Sequence, residues 1–188
     1  MKKAIKRKAG ELLGYGFTHQ QAFDQIMLEH PEAKPARVAG HLRQRPSLMA
    51  REHHRGLHRA LMLLVLLSAA VRVWRAAEGR PLGWDLPTAY LALVPIATLL
   101  VGHALYRWQG PVFQWVGWAN VFGIMPLVQS VAATGARGPG WGLLPSALSV
   151  AIGLICLYLY HRAFPTMKEV PDPLGGPKRF VFTPEGGL

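Results

Sequence analysis

Four apolar stretches between residues 57 and 161 constrain this chain more than any other feature, because each is near the length of a membrane-crossing α-helix. At 1.5 Å rise, about 20 residues cover the roughly 30 Å of bilayer hydrocarbon. The stretches are 57–74, 86–108, 111–134 and 141–161. Each is apolar around most of its circumference, as a helix in lipid must be. The fully apolar part of the first, Ala60–Val71, is short. Arg59 and Arg75 bracket roughly 24 Å of helix, so they must snorkel or the bilayer must thin there. Asp85 can cap the second stretch, with Pro87 in its first turn and Pro95 expected to kink it. Pro126 predicts a kink in the third, and Pro145 sits near the start of the fourth. The sequence therefore predicts an all-α polytopic membrane protein with four transmembrane helices.

Charge sets the orientation. Charged residues are 16% of the chain, below the ~25% usual for soluble domains. Residues 1–59 hold 12 Lys/Arg against 5 Asp/Glu, and the remaining 129 hold 9 against 5. Basic flanks stay on the cytosolic side. An even number of spans then places both termini there, with the 135–140 loop outside. Arg75 and Arg80 oppose this on the outer side, but the larger charge of the N-terminal arm outweighs them. Trp74, Trp84 and Trp141 would mark the outer interface, and Tyr106, Trp108, Trp115, Tyr158 and Tyr160 the inner one. Short connections, Gln109–Gly110 above all, predict antiparallel neighbours. The small-residue pairs Ala119/Gly123 and Ser149/Gly153 would allow close helix approach. No signal-peptide pattern opens the chain, so the first span would act as an uncleaved anchor. The single cysteine, Cys156, excludes an intrachain disulfide.

Residues 1–56 read as a small basic cytosolic module of short helices. Ile5, Ala9, Leu12 and Leu13 share one face of a helix over Lys2–Leu13, which Gly14-Tyr15-Gly16 breaks. Thr18 and Gln21 form a capping box ahead of Phe23, Ile26, Met27 and His30, and Pro31 ends that helix. A third helix over Ala33–Gln44 carries Val38 and Leu42 on one side. Ser47 caps a fourth, expected to continue through His54 into the first span. The apolar set of this arm, Phe17 included, is small for an independent core. Residues 162–188 form a cytosolic tail whose prolines and glycines predict disorder. Its one segment able to pair as a strand or dock on the arm is Phe180-Val181-Phe182.

The candidate functional residues are basic or imidazole side chains. Lys34, Arg37, Arg43 and Arg45 gather around the third helix, with His41 beside them. They suit anionic lipid headgroups or a docking surface for another protein. Three helices with a basic last one also resemble a helix-turn-helix module over Gly16–Arg45, and that resemblance implies DNA binding. His54 and His58 share a helical face at the mouth of the first span. His103 lies one turn inside the cytosolic end of the second, and His161 at that end of the fourth. Four imidazoles at one depth would suit a transition metal or a bis-His haem in a helix bundle. The favoured reading makes each an interfacial side chain instead. Within the spans, Arg72 is expected to snorkel and Asn120 to hydrogen-bond across helices. Gln129 lies about 180° from Asn120, so the two cannot line one lane. The spans contain no Asp, Glu or Lys at mid-depth, which disfavours an ion-coupled carrier.

The function expected from these features is that of a multi-pass inner-membrane accessory or scaffold subunit, not an enzyme. It would present its basic arm to a protein partner or to anionic headgroups. The alternatives are a membrane-tethered DNA-binding regulator and a membrane redox or metal protein using the histidines.

Overall fold

The computed structural model describes residues 2–77, 86–122, 144–171 and 179–183. They are mostly helical, with one two-stranded sheet. The chain divides into two compact units. One comprises residues 1–55, 108–111 and 159–188, and the other comprises 56–107 and 112–158.

The first unit begins with α1 (Lys2–Gly14), α2 (His19–Glu29), α3 (Pro35–Arg43) and α4 (Leu48–His53). Local chemistry explains each boundary. Gly16 follows α1 at φ +89, a left-handed turn that glycine adopts without a Cβ penalty. Thr18 Oγ1 accepts from Gln21 N–H at 3.2 Å, and Gln21 Oε1 accepts from Thr18 N–H at 3.0 Å, which completes the capping box. Ser47 Oγ accepts from Ala50 N–H at 3.2 Å and opens α4. That helix stops at His53, and a turn at His54 separates it from the next one, so the expected uninterrupted run into the first span is not formed.

The arm has a more complete core than its own residues supply. Ile5, Ala9, Leu12 and Leu13 of α1, Ala22, Phe23 and Ile26 of α2, and Val38, Ala39 and Leu42 of α3 are buried together. Phe180 and Phe182 of the tail join them. Phe17 stays 39% exposed and is not part of this core. Residues 167–170 and 179–182 of the tail thus form strands where the sequence predicts disorder. β1 (Met167–Val170) and β2 (Arg179–Phe182) pair antiparallel, with Met167 opposite Phe182 and Glu169 opposite Phe180. Alternation puts both phenylalanines on one face of β2 and leaves Val181 on the other. Their rings meet Phe23 at 6.1 and 6.0 Å, and Phe182 lies 5.7 Å from the His19 ring. Gln20 Oε1 accepts from Phe182 N–H at 3.3 Å, tying the strand to α2.

The second unit is built from α5 (Arg55–Ala77), α6 (Leu86–Tyr106), α7 (Gly110–Phe122) and most of α8 (Leu144–Ala163). Two helical stretches, Arg55–Trp74 with 20 residues and Ser146–Ala163 with 18, are long and apolar enough to cross a membrane. α6 continues across Pro95. It ends at Tyr106, before the expected Trp108, because Trp108 turns to φ +53. α7 is followed to Phe122, and the rest of the third expected span, 123–134, lies outside the described residues. Asp85, Trp84, Pro126, Gln129, Trp141 and the 135–140 loop also lie outside them.

Contacts inside this unit define an up-down-up-down order. The His58 ring donates to Leu105 O at 3.1 Å, and Met62 packs over Gly102, so α5 and α6 run antiparallel. His58 also lies 6.2 Å from Phe113, which places the start of α7 beside the start of α5. Gly117 meets Leu157, and Gly153 meets Val121 and the Gly117 carbonyl, so α7 and α8 are antiparallel. Near the end of α5, Arg72 donates to Ser149 Oγ at 2.9 Å in the second turn of α8. Asn120 donates to Val116 O at 2.8 Å within its own helix, and not across to a neighbour among the described residues. Of the expected small-residue pairs, Ser149/Gly153 sits in real helix contacts, and Gly123 lies outside the described residues.

Candidate functional site

The basic residues of the arm separate into two groups. Lys34, Arg37 and Arg43 are exposed. Lys34 is the N-cap of α3, where its ammonium, a donor only, caps no N–H group, and its side chain is exposed. Arg45 behaves differently. It lies beyond the end of α3, half-buried, with its guanidinium laid across Gly10 of α1. A Cβ at Gly10 would collide with that guanidinium, so the bare backbone of α1 is what admits it.

Arg45 is anchored through its backbone. Its carbonyl accepts from His19 Nε2 at 2.8 Å, and its N–H donates to Leu42 O at 3.1 Å. A carbonyl can only accept, so this bond fixes the Nε2–H tautomer of the buried His19. The guanidinium forms one wall of an open groove of about 460 Å³ lined also by Lys6, Arg7, Gly10 and Glu11. Arg7 Nε lies 3.4 Å from Glu11 Oε1, one turn along α1. Lys6 and Arg45 make no such ion pair among the described residues. His41 feels the same positive field. Partial burial holds its pKa below the ordinary 6.5, and repulsion from Lys6, Arg37 and Arg45 lowers it further. On the other side of α1, Lys8 Nζ pairs with Glu29 Oε2 at 3.2 Å. The Glu29 carboxyl is held below its usual range by hydrogen bonds from Gln25 and Lys8. Cationic charge is therefore compensated on the Lys8 side and left open on the Lys6–Arg45 side. Lys6 was missed in the sequence because its partner position, Arg45, is far away in the chain.

The four histidines serve different local ends. His58 is buried, and its Nε2–H satisfies Leu105 O, one of the carbonyls left open at the C-terminus of α6. His54 is half-buried and meets His53 edge-on at 4.8 Å. His103 is exposed, and His161 is exposed beside the Tyr160 ring at 5.5 Å. Among the described residues, no group of three or more His, Cys, Asp or Glu side chains is placed to hold a metal ion.

The fold and surface define a mostly helical chain that joins a basic, folded arm to helices long and apolar enough to cross a membrane. No protein-family model, curated protein or solved structure matches it.

Proposed function

We propose that this chain is a multi-pass inner-membrane protein, acting as a non-catalytic accessory or scaffold subunit that presents its basic arm on the cytosolic side. The observation that carries the membrane reading is the character of the exposed helix faces. α5 buries a stripe of His58, Leu61, Val65 and Ser68, yet its opposite face is Leu63, Leu66, Leu67 and Trp74. α8 buries Leu148, Ile152, Cys156 and Leu159 and exposes Leu154 and Tyr158. Leu63 and Trp115 remain 68% and 76% exposed. Apolar surface on this scale is unfavourable in water and matches lipid tails. The up-down-up-down contacts support termini on one side, and the basic arm supports the cytosolic one.

Membrane fractionation tests this reading. The full chain is expected to stay with membranes through alkaline carbonate washing and to be released by mild detergent. Release by carbonate alone sinks it. Identification of what co-purifies from that detergent extract then tests the accessory role. A specific protein partner is the expected result. Bound duplex DNA or a haem absorption band would replace it with one of the two alternative readings.

A further inference from the structure

We propose that the groove between α1 and the end of α3 is a phosphate-binding site for the headgroup of an anionic phospholipid, held by Lys6 and Arg45 over the bare backbone of Gly10. This deepens the membrane reading and rests on it. A phosphate needs donors that converge, carry charge and are already in place. The Arg45 guanidinium is a planar fork suited to two phosphate oxygens. Its root is held by the bonds of the Arg45 backbone to His19 and Leu42. Lys6 supplies a second cation from the facing helix. Glu11, the acidic residue on the rim, is engaged by Arg7, which limits its repulsion of an anion. Gly10 lets the guanidinium lie close against α1.

Chain continuity favours a lipid as the source of the phosphate. Arg45 precedes Arg55, the first residue of the apolar α5, by ten residues. Even fully extended, that segment spans no more than about 36 Å. The headgroup layer is thus tethered within reach of the groove, at high effective concentration. The groove is also short, confined to residues 6–11 of α1 and Arg45, and not the long basic track that a nucleic-acid backbone calls for.

The test places the full chain in nanodiscs of phosphatidylcholine, with or without phosphatidylglycerol, and follows the His41 ring by NMR, assigned by its loss in His41→Gln. His41 is repelled by Lys6, Arg37 and Arg45, so an anion bound beside them raises its titration midpoint. The expected result is an upward shift when phosphatidylglycerol is present. That shift is lost in Arg45→Gln and in Gly10→Ala, which keeps every charge but displaces the guanidinium. It is kept in Lys168→Gln, a charge-matched change on β1. Circular dichroism confirms that each variant is folded. Three outcomes overturn the proposal: no lipid-dependent shift, equal loss in Lys168→Gln, or a shift given by soluble glycerol phosphate or duplex DNA but not by phosphatidylglycerol. Failure of the chain to enter nanodiscs refutes the membrane reading itself. Entry without a His41 response refutes only the headgroup site.

Discussion

His41 and Gly153 show how much depends on what a single position must accommodate. The pKa of His41 is held below its ordinary 6.5, first by burial and then by Lys6, Arg37 and Arg45. The unfolded chain therefore binds a proton more readily than the folded one. The contribution of this residue to stability is complete above about pH 6.5 and is lost as pH falls through that value toward the folded midpoint. Thermal unfolding of the full chain in detergent is expected to show a smaller drop between pH 7 and pH 5 in His41→Gln than in the parent. An equal drop in both would show that His41 is not a coupled group. At Gly153 the constraint is steric. An added Cβ would lie 3.1 Å from the Gly117 carbonyl and 3.2 Å from Asn120 Cβ. Because the Gly117 backbone cannot retreat as a flexible side chain can, Gly153→Leu is expected to cost about 1–3 kcal/mol by overpacking, and Gly153→Ala, which adds one methyl, less. Unfolding temperatures of the two variants in detergent decide this, and a Leu variant as stable as the Ala variant would refute it.

The element that most changes the picture is the C-terminal hairpin. A two-stranded hairpin is marginal in water by itself, and a small helical arm is short of core. Each supplies what the other lacks. Phe180 and Phe182 fill the space beside Phe23, and the helices cover one face of β2. Truncating Phe180 or Phe182 to alanine is expected to lower stability by about 3 kcal/mol, the usual cost of a phenylalanine removed from a core. Val181→Ala, on the exposed face, should stay within about 0.5 kcal/mol. Hydrogen exchange of the Ile26 amide in α2 measures this directly. Unchanged protection in Phe182→Ala would make the hairpin a passenger.

For the whole molecule, the proposed four crossings predict the side on which each end emerges. α5 and α8 meet through Arg72 and Ser149 with opposite chain directions, and α5 and α6 meet through His58 and Leu105 in the same way. Reporters fused before residue 50 and after residue 188 are both expected in the cytosol, and one within 135–140 outside. Termini on opposite sides would break the proposed four-span topology, with the short apolar part of the first expected span as the first suspect.

The sequence by itself determined the helices of the arm and where each begins, though not the break at His54. A capping box, a glycine turn and an apolar stripe act over three or four residues, so Thr18, Ser47, Gly16 and the α1 stripe of Ile5, Ala9, Leu12 and Leu13 could be read directly. It also determined which segments are the most apolar and where the basic charge gathers. The tertiary structure decided the rest. It turned Arg45 toward Lys6, made His58 a cap for α6, paired Arg72 with Ser149 and brought the tail phenylalanines into the arm. The side chains involved bond to partners 26, 47, 77 and 162 positions away. No local periodicity encodes such partners, because they come together only when packed elements bring distant surfaces into register.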